Sequence, residues 1–185
     1  MRVAIVDTQV SFFHGGAEML TARLAEAMRA HGHDVEIVRI PLNPSNPRDI
    51  ARAMDFSLGE DLDRWIAAPD MVVALRFPAY LVRHHDKRVW LLHQLRQYYE
   101  YYGETRVAGN GETEALRERV VAEDRAALSG TARLWAMSTR ISQRLERNNG
   151  VESSPLLPPL PTEQGFYRGR QDRYVFFPSR LERHK

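Results

Sequence analysis

The sequence contains no cysteine, so neither disulfide bonds nor thiolate metal sites can form. It has no long hydrophobic run either: the apolar stretch that starts at Val3 ends at Asp7, which is too short for the core of a signal peptide or for a membrane span. The formal net charge is only +2, which is small for a nucleic-acid-binding protein. These three absences favour a cytoplasmic protein that has no nucleic-acid partner.

Apolar segments of two kinds alternate along the 185 residues. Short runs without polar alternation are typical of strands buried on both faces of a parallel sheet, and longer segments with apolar residues three or four apart are typical of amphipathic helices. The order of these segments predicts an α/β fold, a Rossmann-like parallel sheet flanked by helices. Strands are predicted at 2–7, 35–40, 71–75, 88–92 and 134–137, and helices at 17–30, 47–54, 60–67, 112–128 and from Ser138 to Gly150.

Prolines mark the predicted end of this domain. Pro155, Pro158, Pro159 and Pro161 lie close together, a density that predicts no regular structure and is typical of a semi-rigid connection between domains. Residues 174–177 are again apolar and predict a strand. We therefore expect an N-terminal domain at 1–161, followed at 162–185 by a linker and the first strand of a truncated second domain.

Two features stand where predicted strands end, which is the edge of a parallel sheet that ligands favour. Gly15 and Gly16 lie between the first strand and the first helix, where backbone N–H groups attract anions, although such a turn also contains glycine for conformational reasons alone. The three spaced glycines of a dinucleotide-binding loop are missing, which disfavours an oxidoreductase. His93 directly follows a strand, so its imidazole donates either to a sugar hydroxyl or phosphate, or to a neighbouring backbone carbonyl.

The loop after His93 and the end of the sequence add further candidates. Four loop residues offer hydrogen-bond donors and aromatic faces that suit polyols, or else pack beneath the loop: Gln94, Arg96, Tyr98 and Tyr99. Arg180 and Lys185 lie five residues apart just after the predicted strand at 174–177. Two cations so placed either converge on one diphosphate or belong to a solvated basic tail.

Two other groups of polar residues are expected to be structural. The run of Arg83, His84, His85 and Asp86 contains two histidines but only one carboxylate, and adjacent side chains point to different faces, so we expect an exposed surface there and no metal site. Asp7 is a lone acidic residue at a strand end, where a structural role is the usual one.

Several of these features occur together in a known family. They are the segment Gly15-Gly16-Ala17-Glu18 after the first strand, His93 after a later strand, Ser138 before a helix, and the pair of Arg180 and Lys185 after a final strand. In this combination the chain resembles glycosyltransferase family 4 of the GT-B fold. The resemblance implies that the chain is the N-terminal, acceptor-side part of a two-domain enzyme, and that the sugar-nucleotide-binding domain of the same protein is its missing partner.

The resemblance implies transfer of a sugar from a nucleotide-sugar donor, with retention of configuration, to a glycan, polyol or glycolipid acceptor. Donor diphosphate binding would fall to Gly15, Gly16, Arg180 and Lys185, and His93 would contact the transferred sugar as the catalytic residue. The acceptor-binding residues would be Gln94, Arg96, Tyr98, Tyr99 and Ser138. No cofactor and no metal are expected, because N–H groups and cations can stabilise the leaving charge. The chain alone is expected to be inactive.

Two further expectations stay open from the sequence. The basic run at 83–88 suggests peripheral contact with the inner face of a membrane. The alternative to a glycosyltransferase is a stand-alone doubly wound domain that binds a ligand or regulates, without catalysis.

Overall fold

A six-stranded, all-parallel sheet is the centre of the computed structural model, which describes residues 1–104, 111–159, 167–171 and 173–175. The strands are β1 (Arg2–Gln9), β2 (Asp34–Pro41), β3 (Met71–Ala74), β4 (Lys87–Leu91), β5 (Arg133–Ala136) and β6 (Ser154–Pro155). Their order across the sheet is β2-β1-β3-β4-β5-β6. This Rossmann-like α/β architecture confirms the fold class predicted from the sequence.

Four α-helices flank the sheet in the described part of the chain. They are α1 (Gly16–Ala30), α2 (Pro47–Gly59), α3 (Gly111–Ser129) and α4 (Thr139–Asn149). The predicted helix at 60–67 is only a 3₁₀ turn, Leu62–Arg64, because Asp61 forms a bridge with Arg83 and the backbone of Trp65 is extended. None of the described helices is long and apolar enough to cross a membrane.

The two faces of the sheet are covered by different helices. On one face, sheet residues such as Val6 and Val72 form a core cluster with side chains of α2, α3 and α4. On the other face, residues such as Ile5 and Val73 form a second cluster, to which α1 contributes all the helical residues. Because both faces of the central strands are buried, these strands carry apolar residues without alternation, which is the pattern seen in the sequence.

The helix ends follow the signals in the sequence. Asn46 caps α2, accepting a hydrogen bond from the backbone N–H of Arg48 at 3.0 Å, and Pro47 occupies the first turn. Ser138 caps α4, accepting from the backbone N–H of Ile141 at 3.3 Å. Gly150 ends α4 with a left-handed φ of 68°, the conformation that favours glycine after a helix.

The proline-rich segment corrects one prediction. We expected no regular structure there, but Ser154 and Pro155 form β6, in which Pro155 pairs with Ala136. A strand at the edge of a sheet accepts proline because one side of its backbone has no neighbour. The division at 161/162 stays a prediction: Tyr174 and Val175 are exposed and irregular, and the remaining residues of the predicted strand, 176–177, lie outside the described residues.

We expect Gly150→Ala to lower the free energy of unfolding by about 1–2 kcal/mol, because an L side chain is strained at a positive φ. Gly59→Ala is the matched control: Gly59 also lies at a helix end, and an added Cβ there meets open space at an ordinary φ. The control should change stability by less than about 1 kcal/mol. Urea unfolding of both variants tests this, and equal losses would contradict the role of the left-handed turn.

Candidate functional site

An ion-paired arginine joins three segments at the carboxyl edge of the sheet. Arg76, just after β3, donates to Asp7 Oδ1 at 2.7 Å and to Asp7 Oδ2 at 2.9 Å, and it also contacts the carbonyl of Thr8. Its Nη1 lies 3.0 Å from Oε1 of Glu18 in the first turn of α1. Asp7 is fully buried and Glu18 nearly so. Arg76 thus ties the end of β1 to the start of α1.

The charges of this cluster are stabilised by their neighbours. Burial opposes the charge of Arg76, but the hydrogen bonds and charge of Asp7 outweigh it and raise the pKa of the guanidinium. Burial also works against the Glu18 carboxylate, yet backbone N–H groups and Arg76 hold its pKa below the ordinary value. The Thr21 hydroxyl donates to Asp7 Oδ2 at 2.6 Å. One cation therefore serves two carboxylates.

The glycine pair is next to this cluster, which it contacts through Glu18. The two glycines differ in the space around them. The Gly15 N–H donates to Glu18 Oε2 at 2.8 Å, and a Cβ added at Gly15 would lie 3.2 Å from Cε1 of Phe13. A Cβ added at Gly16 would meet open space. Among the described residues, no hydrogen bond joins the N–H groups of Gly16 and Ala17 to an acceptor outside α1. An anion at this loop would therefore bind to Gly16 and Ala17 rather than to the Gly15 N–H.

His93 follows β4 at the same edge, beside Arg76. Its Nδ1 lies 2.9 Å from the backbone carbonyl of Gln94, so Nδ1 carries the proton and Nε2 is left as an acceptor. The residue is exposed to solvent, yet desolvation of the ring by surrounding protein atoms lowers its pKa, and the charges of Arg76 and Arg96 act in the same direction. His93 is therefore a neutral imidazole at pH 7.

A buried carboxyl group anchors the loop that follows His93. Asp124 of α3 is fully buried and accepts from the Tyr80 hydroxyl at 2.7 Å and from the Tyr99 hydroxyl at 2.7 Å. Burial raises the pKa of Asp124 to about 7, although the two tyrosine hydroxyls act to lower it. The pKa values of both tyrosines are raised as well, chiefly by burial, so the hydroxyls remain donors.

The hydrogen bonds that start at Asp124 continue to the end of α4. The side-chain N–H of Asn149 donates to the Tyr99 hydroxyl at 3.2 Å, and its Oδ1 accepts from Gln94 Nε2. Asn148 donates to Gln94 Oε1 at 3.2 Å. The side-chain amide of Gln94 is thus held on both sides by α4, and Gln94 itself is buried.

The other predicted site residues have the following positions. Tyr98 is completely buried in the core, and Arg96 lies over the ring of Tyr101, with 4.3 Å between its Cζ and the ring centroid. Ser138 follows β5 at the same carboxyl edge, where it caps α4. Arg180 and Lys185 lie outside the described residues. The structure therefore brings Gly15, Gly16 and the His93 loop to one edge and leaves the binding roles as predictions.

The histidine run is only partly the exposed surface that we expected. The side chain of His84 is fully buried: its Nε2 lies 3.1 Å from the Pro69 carbonyl, and its Nδ1 accepts from the Asp86 N–H at 3.1 Å. Asp63 approaches both histidines, with its Oδ1 2.5 Å from His85 Nδ1. Both nitrogens of His84 have hydrogen-bond partners, yet Asp63, His84 and His85 each offer a ligand atom within 4.8 Å of the others, a spacing that could hold a metal ion. The expectation of no metal site here stays a prediction.

Two cavities open near the carboxyl edge. A cavity of about 620 Å³ lies between the end of β2 and α2, and its lining includes Ser11, Asn43, Asp49 and Arg52. A more apolar cavity of about 390 Å³ runs along α1 from Gly16. Both volumes fall in the range of small-molecule sites.

Comparison with models of known protein families gives no match, and comparison with curated proteins gives none either. A hypothesis about function therefore depends on the residues of the chain itself. Sequence reasoning expected a structural role for Asp7, and the contacts of Asp7 agree with that expectation. It missed Arg76 and Asp124, since neither belongs to a recognisable motif. Only the position of Arg76 immediately after a buried strand was a usable signal.

Replacing Arg76 by methionine should lower the free energy of unfolding by about 3–5 kcal/mol, because two buried carboxylates would lose their cation. The control is Arg119→Met, which removes an ion pair of 2.6 Å with Asp55 at the protein surface. Its cost should stay below about 1 kcal/mol. Chemical denaturation at pH 7 measures the free energy of unfolding of both variants. An equally small loss for Arg76→Met would contradict the role of Arg76 in joining β1 to α1.

The raised pKa of Asp124 has a definite consequence for stability. The folded state holds the proton up to about pH 7, whereas the unfolded state releases it near pH 4, so this carboxyl group destabilises the fold progressively as the pH rises between these values. Asp124→Asn removes the titration. Relative to wild type, the variant should gain up to about 1.4 kcal/mol per pH unit across that window. Unfolding curves at pH 4.5, 6 and 7.5 measure the difference, and a constant difference would refute this account.

Proposed function

We propose that this chain is the N-terminal, acceptor-side part of a retaining glycosyltransferase of the GT-B type, which transfers a hexosyl-like sugar from a nucleotide-sugar to a glycan, polyol or glycolipid. The observation that carries the proposal is the meeting of the glycine loop and His93 at one sheet edge, with Arg76 beside both. Ligands of parallel α/β sheets bind at this edge.

The electrostatics of the edge support a bipartite donor site. Arg76 is shared by Asp7 and Glu18, so the described cluster has no spare positive charge for a diphosphate. The N–H groups of Gly16 and Ala17 offer partial charge only. Tight binding of a diphosphate therefore requires further cations, and in this proposal Arg180 and Lys185 supply them as the leaving charge develops.

His93 has the protonation state that sugar recognition requires. With Nδ1 donating to the Gln94 carbonyl, Nε2 accepts a hydrogen bond from a hydroxyl of the transferred sugar. Because the pKa of His93 is lowered, Nε2 stays unprotonated and can accept this hydrogen bond at neutral pH. The acceptor substrate would lie along the same edge, where the open cavity between β2 and α2 presents polar side chains.

The proposal does not extend to a membrane surface. In the basic run at 83–88, Lys87 donates to the carbonyls of Tyr80 and Val82, and Arg88 pairs with Asp86 at 2.9 Å. Lys87 and Arg88 are therefore engaged by the protein, whereas Arg83 of the same run is exposed. Peripheral contact of this run with a membrane stays a prediction.

The decisive experiment uses the complete gene product that contains this chain, incubated with a panel of nucleotide-sugars. We expect release of a nucleoside diphosphate from one donor, and a fall of about 100-fold in that rate for His93→Ala, the scale of a group that contacts the reacting centre. His31→Ala, in an exposed residue at the end of α1, is the control and should keep the wild-type rate.

The outcomes separate the candidate functions. The isolated 185-residue chain should show no turnover, because it provides one side of a cleft whose reaction needs both. Binding of a nucleotide-sugar by the gene product without any turnover would favour the ligand-binding alternative. Turnover that is insensitive to His93→Ala would refute the role of this residue.

A further inference from the structure

Hydrogen bonds lead from the core to Gln94 and from Gln94 to His93, and the covalent structure of Gln94 joins the two parts. This chain of hydrogen bonds starts at Asp124, passes through the Tyr99 hydroxyl to the side-chain amide of Asn149, and continues to the amide of Gln94. The backbone carbonyl of Gln94 then receives the Nδ1 proton of His93 at 2.9 Å. Three structural segments contribute: α3 with Asp124, α4 with Asn149, and the loop after β4 with Tyr99, Gln94 and His93.

We infer that Asp124 is a positioning residue, which fixes the tautomer and orientation of the His93 imidazole through Tyr99, Asn149 and Gln94. The inference rests on the proposed function only in taking His93 as the group that contacts substrate. The Gln94 carbonyl selects which imidazole nitrogen carries the proton, and the Gln94 side chain, held by Asn148 and Asn149, fixes the direction of that carbonyl.

Burial makes the chain a rigid support. Asp124, Gln94 and Asn149 are each less than 5% exposed, so a broken bond would leave a polar group without water to replace its partner. In such surroundings a hydrogen-bonded network has few alternative arrangements. The charged and titratable groups that act on Asp124 are Tyr80, Tyr99 and the adjacent Glu123, and no cation is among them.

Tyr80 and Tyr99 provide a matched pair of variants. Both hydroxyls donate to Asp124 at 2.7 Å, but only the Tyr99 hydroxyl also receives the Asn149 amide and so belongs to the chain that reaches His93. Tyr99→Phe and Tyr80→Phe each remove one hydroxyl that donates to Asp124, from a half-buried residue at Tyr99 and from a buried one at Tyr80, so both should lower stability. A purely structural role for the network predicts the same response of His93 to either change.

The test is the ¹⁵N spectrum of the His93 imidazole in the 185-residue chain, recorded across pH 5–8. In wild type we expect the two ring nitrogens to show the well-separated shifts of a single Nδ1–H tautomer. Tyr99→Phe should draw the two shifts together, as in a tautomer mixture. It should also lower the His93 pKa further below its ordinary value, because the hydrogen bond to the Gln94 carbonyl raises that pKa. Tyr80→Phe should leave both the shifts and the pKa unchanged. Backbone amide spectra confirm that each variant is folded.

A response of His93 that is the same in both variants, or absent from both, would overturn the positioning role. Asp124→Asn is the conservative variant, since its amide retains an oxygen that accepts from Tyr99, and it should preserve the wild-type tautomer. In the gene product, Tyr99→Phe should lower kcat several-fold and leave the KM for the donor unchanged. If the spectra behave as expected but His93→Ala is fully active, the proposed function fails while the positioning of His93 stands.

Discussion

The ion pair between Arg76 and Asp7 is the interaction on which the candidate site depends. Asp7 is an acidic residue that follows the buried apolar residues Val3–Val6 of β1. It is tolerated there because Arg76 and the Thr21 hydroxyl satisfy it. Since Arg76 also binds Glu18, the same pair fixes the first turn of α1. The position of the glycine loop relative to the sheet follows from this one cation.

A second buried polar group has the corresponding role on the other side of the edge. Asp124 lies in the core beneath the loop after β4, where Tyr80 and Tyr99 donate to it from different segments. One buried group thus orders the glycine loop and the other orders the loop of His93. The carboxyl edge therefore presents N–H donors from the glycine loop and the Nε2 acceptor of His93, both with little freedom to rearrange. Stabilisation of a developing charge requires groups that are preorganised in this way.

The sequence predicts the fold well because its local signals agree with one another. Apolar runs marked every strand except β6, and Asn46, Ser138 and Gly150 marked helix ends by their side-chain or backbone chemistry. β6 was missed because prolines argue against strands, and only the position of β6 at the sheet edge makes Pro155 acceptable. Arg76 and Asp124 were missed because their roles arise from partners that are distant in the sequence. Asp7 lies 69 residues from Arg76, and Tyr99 lies 25 residues from Asp124, so no local pattern contains either pair.

The most direct test of the account is a crystal structure of the complete gene product with an intact nucleotide-sugar bound. The account predicts the diphosphate beside the N–H groups of Gly16 and Ala17, and a hydroxyl of the transferred sugar about 3 Å from His93 Nε2. It also predicts that Arg76 keeps its contacts with Asp7 and Glu18 when the ligand is present. A nucleotide-sugar bound away from the carboxyl edge of this sheet, with His93 touching no part of it, would contradict the account.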